Sequence, residues 1–180
     1  EISWRHLEEP ITVSENGLVQ SVKFENRKEE LHSLYLYWTP TDRLAVKTEF
    51  AYDLYRSDLG VATENGTVPE VVETFSAPIS LSYFDPSGWF ARLGGTFVHQ
   101  KLGLAKTAVQ DQGNDSFFLV DADLGYRFPK RWGLASIGVK NLFDKQFKYQ
   151  DDSYREFRDE PSTGPYFPDR IIMGRITLNF

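Results

Sequence analysis

The sequence predicts an all-β fold: an antiparallel, up-and-down transmembrane β-barrel sheet with about eight strands in this chain. Three observations predict it. Apolar and polar residues alternate strictly, several alternating runs reach roughly eleven residues, and long and short connections take turns along the chain. Ordinary globular strands average about 5–6 residues, whereas a tilted strand needs about 9–11 to cross a bilayer.

The strands are expected at 1–7, 24–38, 44–56, 74–84, 89–100, 116–128, 134–147 and 169–180. Leu44, Val46, Thr48, Phe50, Tyr52 and Leu54 alternate with Ala45, Lys47, Glu49, Ala51 and Asp53. A period of two places each set on its own face of a strand. Phe75, Ala77, Ile79, Leu81 and Tyr83 repeat the pattern, as do Trp89, Ala91, Leu93, Gly95 and Phe97. So do Phe118, Val120, Ala122, Leu124, Tyr126 and Phe128, and then Ile172, Gly174, Ile176, Leu178 and Phe180. Residues 30–38 and 134–143 follow it less cleanly. Pro78 removes a ladder donor, so a bulge is expected there, with the membrane part of that strand starting near Ile79. No run has helical spacing.

Short turns fall near 40–43, 85–88 and 129–133, where proline, aspartate and glycine supply turn chemistry. Long polar connections are expected near 8–22, 57–73, 101–115 and 148–168. Outer-membrane barrels show this asymmetry, with short periplasmic turns and long extracellular loops. Trp38, Trp89 and Trp132 sit beside the short turns, joined by Phe84, Phe128 and Phe180. The up-and-down count puts Trp4 on that side as well. Amphipathic rings favour membrane–water interfaces, so Trp38, Trp89, Trp132 and Phe128 are read as a periplasmic girdle. Phe50, Tyr52, Phe97, Phe118, Phe143 and Phe147 would form the opposite one.

Composition narrows the function classes. The net charge of −6 offers no basic footprint, so no nucleic-acid partner is expected. Cysteine is absent, which excludes disulfides and thiolate sites. His6, His32 and His99 lack metal-ligand spacing, and neither a phosphate loop nor a nucleophile elbow is present. Neither a cofactor nor an enzymatic role is expected. No apolar run matches a transmembrane helix. Glu1-Ile2-Ser3-Trp4-Arg5-His6 has no initiator methionine and no basic n-region. With a first strand too short to span, the eight strands are read as the C-terminal part of a larger barrel.

The charged positions Lys47, Glu49, Asp53, Arg92, Asp121, Asp123, Arg127, Lys140 and Arg175 fall opposite the apolar ones. In a barrel they would face the lumen, because Arg or Lys facing lipid at midplane costs about 2–4 kcal/mol. Mixed signs there predict an ion-pair and hydrogen-bond network. The last long connection is acidic and aromatic. Its Tyr149, Tyr154, Phe157, Tyr166 and Phe167 are the candidate ligand contacts, since exposed loops carry function on rigid scaffolds.

Gly138-Val139-Lys140-Asn141-Leu142-Phe143-Asp144-Lys145-Gln146-Phe147 resembles the NLFD-x-x-Y/F signature near the end of TonB-dependent receptors. Pro168-Asp169-Arg170 followed by Gly174-Arg175-Ile176-Thr177-Leu178-Asn179-Phe180 resembles that family's last strand. The resemblance implies a transport component in the outer membrane of a Gram-negative bacterium, a receptor taking up a scarce nutrient such as a metal chelate. It also implies outer-membrane lipid and the insertion machinery as partners, with Ile176, Leu178 and Phe180 as the insertion signal. TonB would act through a plug domain not in this chain. Tyr35-Leu36-Tyr37-Trp38-Thr39-Pro40-Thr41-Asp42-Arg43-Leu44 resembles barrels that follow periplasmic helical repeats, which raises export or assembly of a surface polymer such as polysaccharide. A complete eight-stranded structural or adhesin barrel is the third reading.

Overall fold

The computed structural model describes residues 2–15, 18–57, 62–63, 66–67, 69–104, 113–149 and 166–179, with backbone alone for 2–25, 62–63, 66–67 and 104. The alternating runs form strands: β1 (Ile2–Glu15), β2 (Leu18–Thr41), β3 (Leu44–Ser57), β4 (Ala62–Thr63), β5 (Gly66–Thr67), β6 (Pro69–Phe84), β7 (Trp89–Leu104), β8 (Gly113–Arg127), β9 (Gly133–Lys140) and β10 (Ile171–Leu178). Eight of them make one antiparallel sheet in the order β1-β2-β3-β6-β7-β8-β9-β10, and β4 pairs with β5. Each strand of the large sheet pairs with its neighbours in the chain, apart from the small β4–β5 hairpin set between β3 and β6. The chain is therefore an all-β meander. The sheet is open, with β1 and β10 at its edges.

Several boundaries differ from those the sequence suggested. Most of the 8–22 stretch is ladder, not a long connection: Ile2–Glu15 pairs with Leu18–His32, with one irregularity at Val13/Ser14. That register sets Trp4 opposite Glu30, eight residues along β2 from Trp38. Trp4 thus lies toward the long connections and not at the short turns. Strand pairing also claims much of the expected loops 57–73 and 101–115, since β6 starts at Pro69 and β7 runs to Leu104. Conversely, β9 stops at Lys140, and 141–147 leave the sheet. The short turns stand where proline, aspartate and glycine put them, the third as a single 3-10 turn over Pro129–Arg131.

Pro78 makes no bulge. The β3–β6 register keeps the same offset from Thr48↔Ile79 to Ala51↔Ser76, and Pro78 itself stands opposite Thr96 of β7. The Thr48 hydroxyl donates to the Pro78 carbonyl at 3.0 Å, which ties the two strands where the proline has no N–H to give.

The registers assemble two unlike faces. On one, the cross-strand rows include Leu34, Phe50, Ala77, Phe97 and Phe118; two rows on, Trp38, Val46, Leu81, Leu93, Ala122, Val139 and Ile172; and next Leu44, Tyr83, Ala91, Leu124 and Ile137. These side chains are largely open to the surroundings: Leu34 and Ile172 are each 66% exposed. Soluble monomers rarely expose contiguous apolar patches beyond a few hundred Å². Above this belt the same face turns charged, with Glu73 facing Arg56 at 3.7 Å and Lys101 at 3.9 Å.

The belt has a defined height. Its last aromatic row toward the long connections holds Tyr52 and Phe75 beside His99, and the row nearest the short turns holds Trp89, Tyr126 and Ile176. Ten residues of β7 separate His99 from Trp89. At about 3.4 Å per residue this is about 34 Å along the strand. A tilt of about 40° would make it about 26 Å, close to the roughly 25 Å apolar band of outer-membrane barrels.

The core lies on the other face, toward the long connections. Tyr55, Val72, Val98, Phe117 and Leu119 are buried there. Phe147, Tyr149 and Tyr166 pack over Val98, Phe117 and Leu119.

Candidate functional site: the charged face

The charged face gathers its residues from four strands. Lys47 pairs across to Ser80, Ser80 to Gly94, and Gly94 to Asp121, so one row crosses the sheet with small residues at its centre. One row away, Arg92 of β7 stands opposite Asp123 of β8. Lys47, Glu49, Arg92, Asp121, Asp123 and Lys140 border one shared cavity. Gly138 faces Asp123, and a Cβ at that glycine would overlap the Asp123 carboxylate. The missing side chain therefore leaves room for that carboxylate against the sheet.

Within the cavity the charges are unevenly matched. Lys140 Nζ donates to Asp121 Oδ2 at 2.8 Å, and Asp121 Oδ1 accepts the Asn141 backbone N–H at 2.9 Å. Lys47 lies 4.8 Å from the Tyr35 ring centroid, within reach of a cation–π contact. Among the described residues, Glu49, Arg92 and Asp123 form no ion pair within 4.0 Å. Mixed unpaired charges in a polar recess suit hydrated or polar partners rather than an apolar ligand. No group of three or more His, Asp or Glu side chains able to hold a metal occurs among the described residues.

Two residues grouped with this network by their charge lie elsewhere. Arg127 belongs to the short-turn end, its guanidinium 5.5 Å from the Phe84 ring. Arg175 sits on the edge strand β10, opposite Ser136.

The aromatic residues divide into three groups. Trp38, Trp89 and Trp132 are all more than half exposed and lie by the short turns. Trp89 packs on Tyr126 at 5.1 Å, and Tyr126 on Phe128 at 6.0 Å. Phe50, Phe97 and Phe118 share one cross-strand row on the apolar face. Phe147, expected beside them, instead stacks on Phe117 of the opposite face at 4.0 Å. It does so because β9 has ended and the chain has turned back across the sheet. Ile176 and Leu178 are exposed on β10, and Phe180 lies outside the described residues.

Of the candidate ligand loop, Tyr149 and Tyr166 meet edge-on at 5.0 Å, and both contact Phe117. Phe167 is exposed, and Tyr154 and Phe157 lie outside the described residues. What joins the two limbs of this connection is Asn141, which sequence reasoning quoted inside a motif without giving it a role. Asn141 is 2% exposed with φ of +50°. Its amide donates to the carbonyls of Lys145, Phe167 and Pro168 at 2.9, 3.2 and 3.2 Å, and its Oδ1 accepts the Lys145 N–H at 2.8 Å. Asp144 adds a clasp by accepting the Arg170 N–H at 2.9 Å. The signal available in the sequence was the pairing of Asn and Asp in one short polar turn, since both tolerate left-handed backbone.

No protein-family model, curated protein or solved structure matches this chain.

Proposed function

We propose that this chain is wall of an outer-membrane transport barrel of the TonB-dependent-receptor kind, serving uptake of a scarce nutrient such as a metal chelate. The observation that carries the reading is the inversion of the two faces. Apolar rows about 26 Å deep stand exposed, while the opposite face holds the charged cavity of Lys47, Glu49, Arg92, Asp121, Asp123 and Lys140. In water this arrangement leaves a large apolar surface uncovered. In a bilayer the belt meets acyl chains and the charged cavity meets the aqueous lumen. The exposed tryptophans by the short turns then lie at one interface. The open sheet favours a share of a larger wall over a closed barrel of eight strands, because both edges still present unpaired backbone groups.

The uptake assignment draws on the NLFD turn and the last strand, whose Asn141 and Asp144 fasten the final loop beside the lumen. Two measurements test the reading. The full-length protein, folded in detergent, should migrate differently on gels before and after boiling. Cells carrying it should accumulate labelled metal chelate, and collapse of the energising gradient should stop accumulation. A monodisperse, folded protein in detergent-free buffer would sink the membrane reading. Intact folding with chelate uptake unchanged in a deletion strain would sink the uptake reading alone.

A further inference from the structure

The charged face ends, at the short turns, in a groove that is cationic although the chain is acidic. Arg43 reaches it from the β2–β3 turn, and Arg127, Lys130 and Arg131 from the β8–β9 turn, with Asp42 and Asp85 also on its border. Four cations against two carboxylates leave +2 in a chain whose total is −6. Asp85 is engaged by its own turn: it accepts the Ser87 N–H at 2.9 Å, the Ser87 hydroxyl, and the Tyr83 hydroxyl at 3.2 Å. Among the described residues, none of the four cations forms an ion pair within 4.0 Å.

The cations are held in place without being neutralised. Arg127 follows Asp121 and Asp123 at alternate positions of β8, and Phe84 follows Ser80 and Ser82 on β6, so both belong to the charged face. The Arg127 guanidinium lies 5.5 Å from the Phe84 ring, a cation–π contact that orients it and leaves its charge intact. Lys130 and Arg131 are consecutive left-handed residues, with φ of +56° and +61°, and the Trp132 N–H closes their turn on the Pro129 carbonyl at 3.3 Å. Turns of this kind ordinarily take Asn-Gly, yet here two long cationic side chains occupy both strained positions. Strain that persists against an easy alternative directs attention to function. Three of the four cations are arginines, whose planar forks match the oxygens of a carboxylate or phosphate. The groove has a volume of about 720 Å³, within the roughly 300–1,000 Å³ of small-molecule sites.

Resting on the transport reading above for its place in the path, we infer that this groove binds an anionic solute carrying two or more carboxylate or phosphate groups, so that the cargo crossing the short-turn mouth is an anion. The order β3-β6-β7-β8 sets the Arg43 turn three strand spacings from the turn of Lys130 and Arg131, about 14 Å. A solute with charge at both ends engages cations of both turns, whereas a single anionic group reaches one. Cationic rings select anions in pores, and low-dielectric walls around such a mouth concentrate the counter-ion there.

The test uses the full-length protein, folded in detergent and titrated calorimetrically at low ionic strength with citrate, a tricarboxylate, and with inorganic phosphate. Wild type should bind citrate, bind phosphate more weakly, and release citrate as salt rises. The double variant Lys130→Asn with Arg131→Gly relaxes the turn while removing two charges. At about fivefold per charge, the upper end for exposed ion pairs, it should lose about 25-fold in citrate affinity. Arg43→Gln with Arg127→Gln serves as a second pair should the first fail to fold. Asp42→Asn removes a competing carboxylate and should bind citrate up to about fivefold more tightly, a gain that a purely structural turn would not produce. Heat-modifiable variants of both pairs that keep wild-type citrate affinity would overturn the site and leave the transport reading standing. Folded wild type that binds neither anion would do the same, and phosphate binding as tight as that of citrate would overturn the multiply charged ligand. Citrate binding together with chelate uptake unchanged in a deletion strain would keep the anion site and sink its place in the transport path.

Discussion

The Asn141 backbone N–H donates to Asp121 Oδ1 at 2.9 Å, and this bond joins the charged cavity to the turn that fastens the last long connection. Asp121 holds Lys140 with its other oxygen, while the Asn141 side chain binds carbonyls on both limbs of that connection. A change in the charged cavity is therefore one bond away from the loop root.

Asn141→Ala removes an amide that makes four hydrogen bonds, leaving three carbonyls short of a donor and the Lys145 N–H short of an acceptor. A net hydrogen bond is worth about 1 kcal/mol, and an alanine at positive φ adds about 1 kcal/mol of strain. The expected cost is about 2–4 kcal/mol at the loop root, with the sheet intact. Limited proteolysis should cut faster within 150–165 while the heat-modifiable gel shift persists. Asn141→Gly, which accepts the backbone angle, should lose the bonds without adding strain and fall between wild type and Asn141→Ala.

Asp121 and Lys140 are unequal partners. Their side chains keep 29% and 39% exposure, so the ion pair alone contributes about 0–1 kcal/mol. Lys140→Ala should cost no more than that. Asp121→Ala also strips the acceptor from the Asn141 N–H, a bond to a charged group worth about 1.5–3 kcal/mol. Urea unfolding of the detergent-folded protein should rank Asp121→Ala as the more damaging change. Equal costs would mean that the link to Asn141 carries nothing.

Alternation was legible wherever one face is apolar, because a period of two then leaves a trace at every position. Leu44–Leu54 and Phe118–Phe128 gave their strands for that reason. The same logic explains the failure over 8–22. In Glu8-Glu9-Pro10 and the residues opposite, Phe24-Glu25-Asn26, the ladder runs on beyond the apolar belt. Backbone pairing holds it there with no apolar alternation to record it. Phe147 misled for a related reason: the 134–147 pattern continues past Lys140, but left-handed Asn141 and Asp144 turn the chain off the sheet. The charges of the cavity were visible one by one. That Gly138 makes room for Asp123 depends on the register between β8 and β9, which the residue pattern alone does not give.

The turn at Asp85 should report on acidity. Hydrogen bonds from the Ser87 hydroxyl and backbone N–H, then the Tyr83 hydroxyl and the nearby Arg43 charge, hold its carboxyl below the usual carboxylate range. A carboxyl depressed on folding stabilises the fold above its unfolded pKa of about 3.9 and loses that contribution as pH falls through the lower folded value. The β6–β7 hairpin should therefore loosen below about pH 4. Carbon-13 titration of the Asp85 carboxyl checks the direction. In Asp85→Asn the acid-dependent part of hairpin opening should disappear, and its persistence would assign that opening to other groups.

Leu93 and Leu178 separate lipid from water as the solvent of the apolar face. Leu93 is 53% exposed on a row in the middle of the belt, and Leu178 is 54% exposed at its short-turn end. In water an arginine at either position is a surface change worth no more than about 0.5 kcal/mol. In a bilayer the cost depends on depth, about 2–4 kcal/mol at midplane and about 0–1 near the interface. Leu93→Arg should therefore destabilise vesicle-inserted protein strongly, and Leu178→Arg only slightly. Reversible denaturant titration in phosphatidylcholine vesicles gives both values. A small and equal cost at the two positions would place the apolar face against something other than acyl chains.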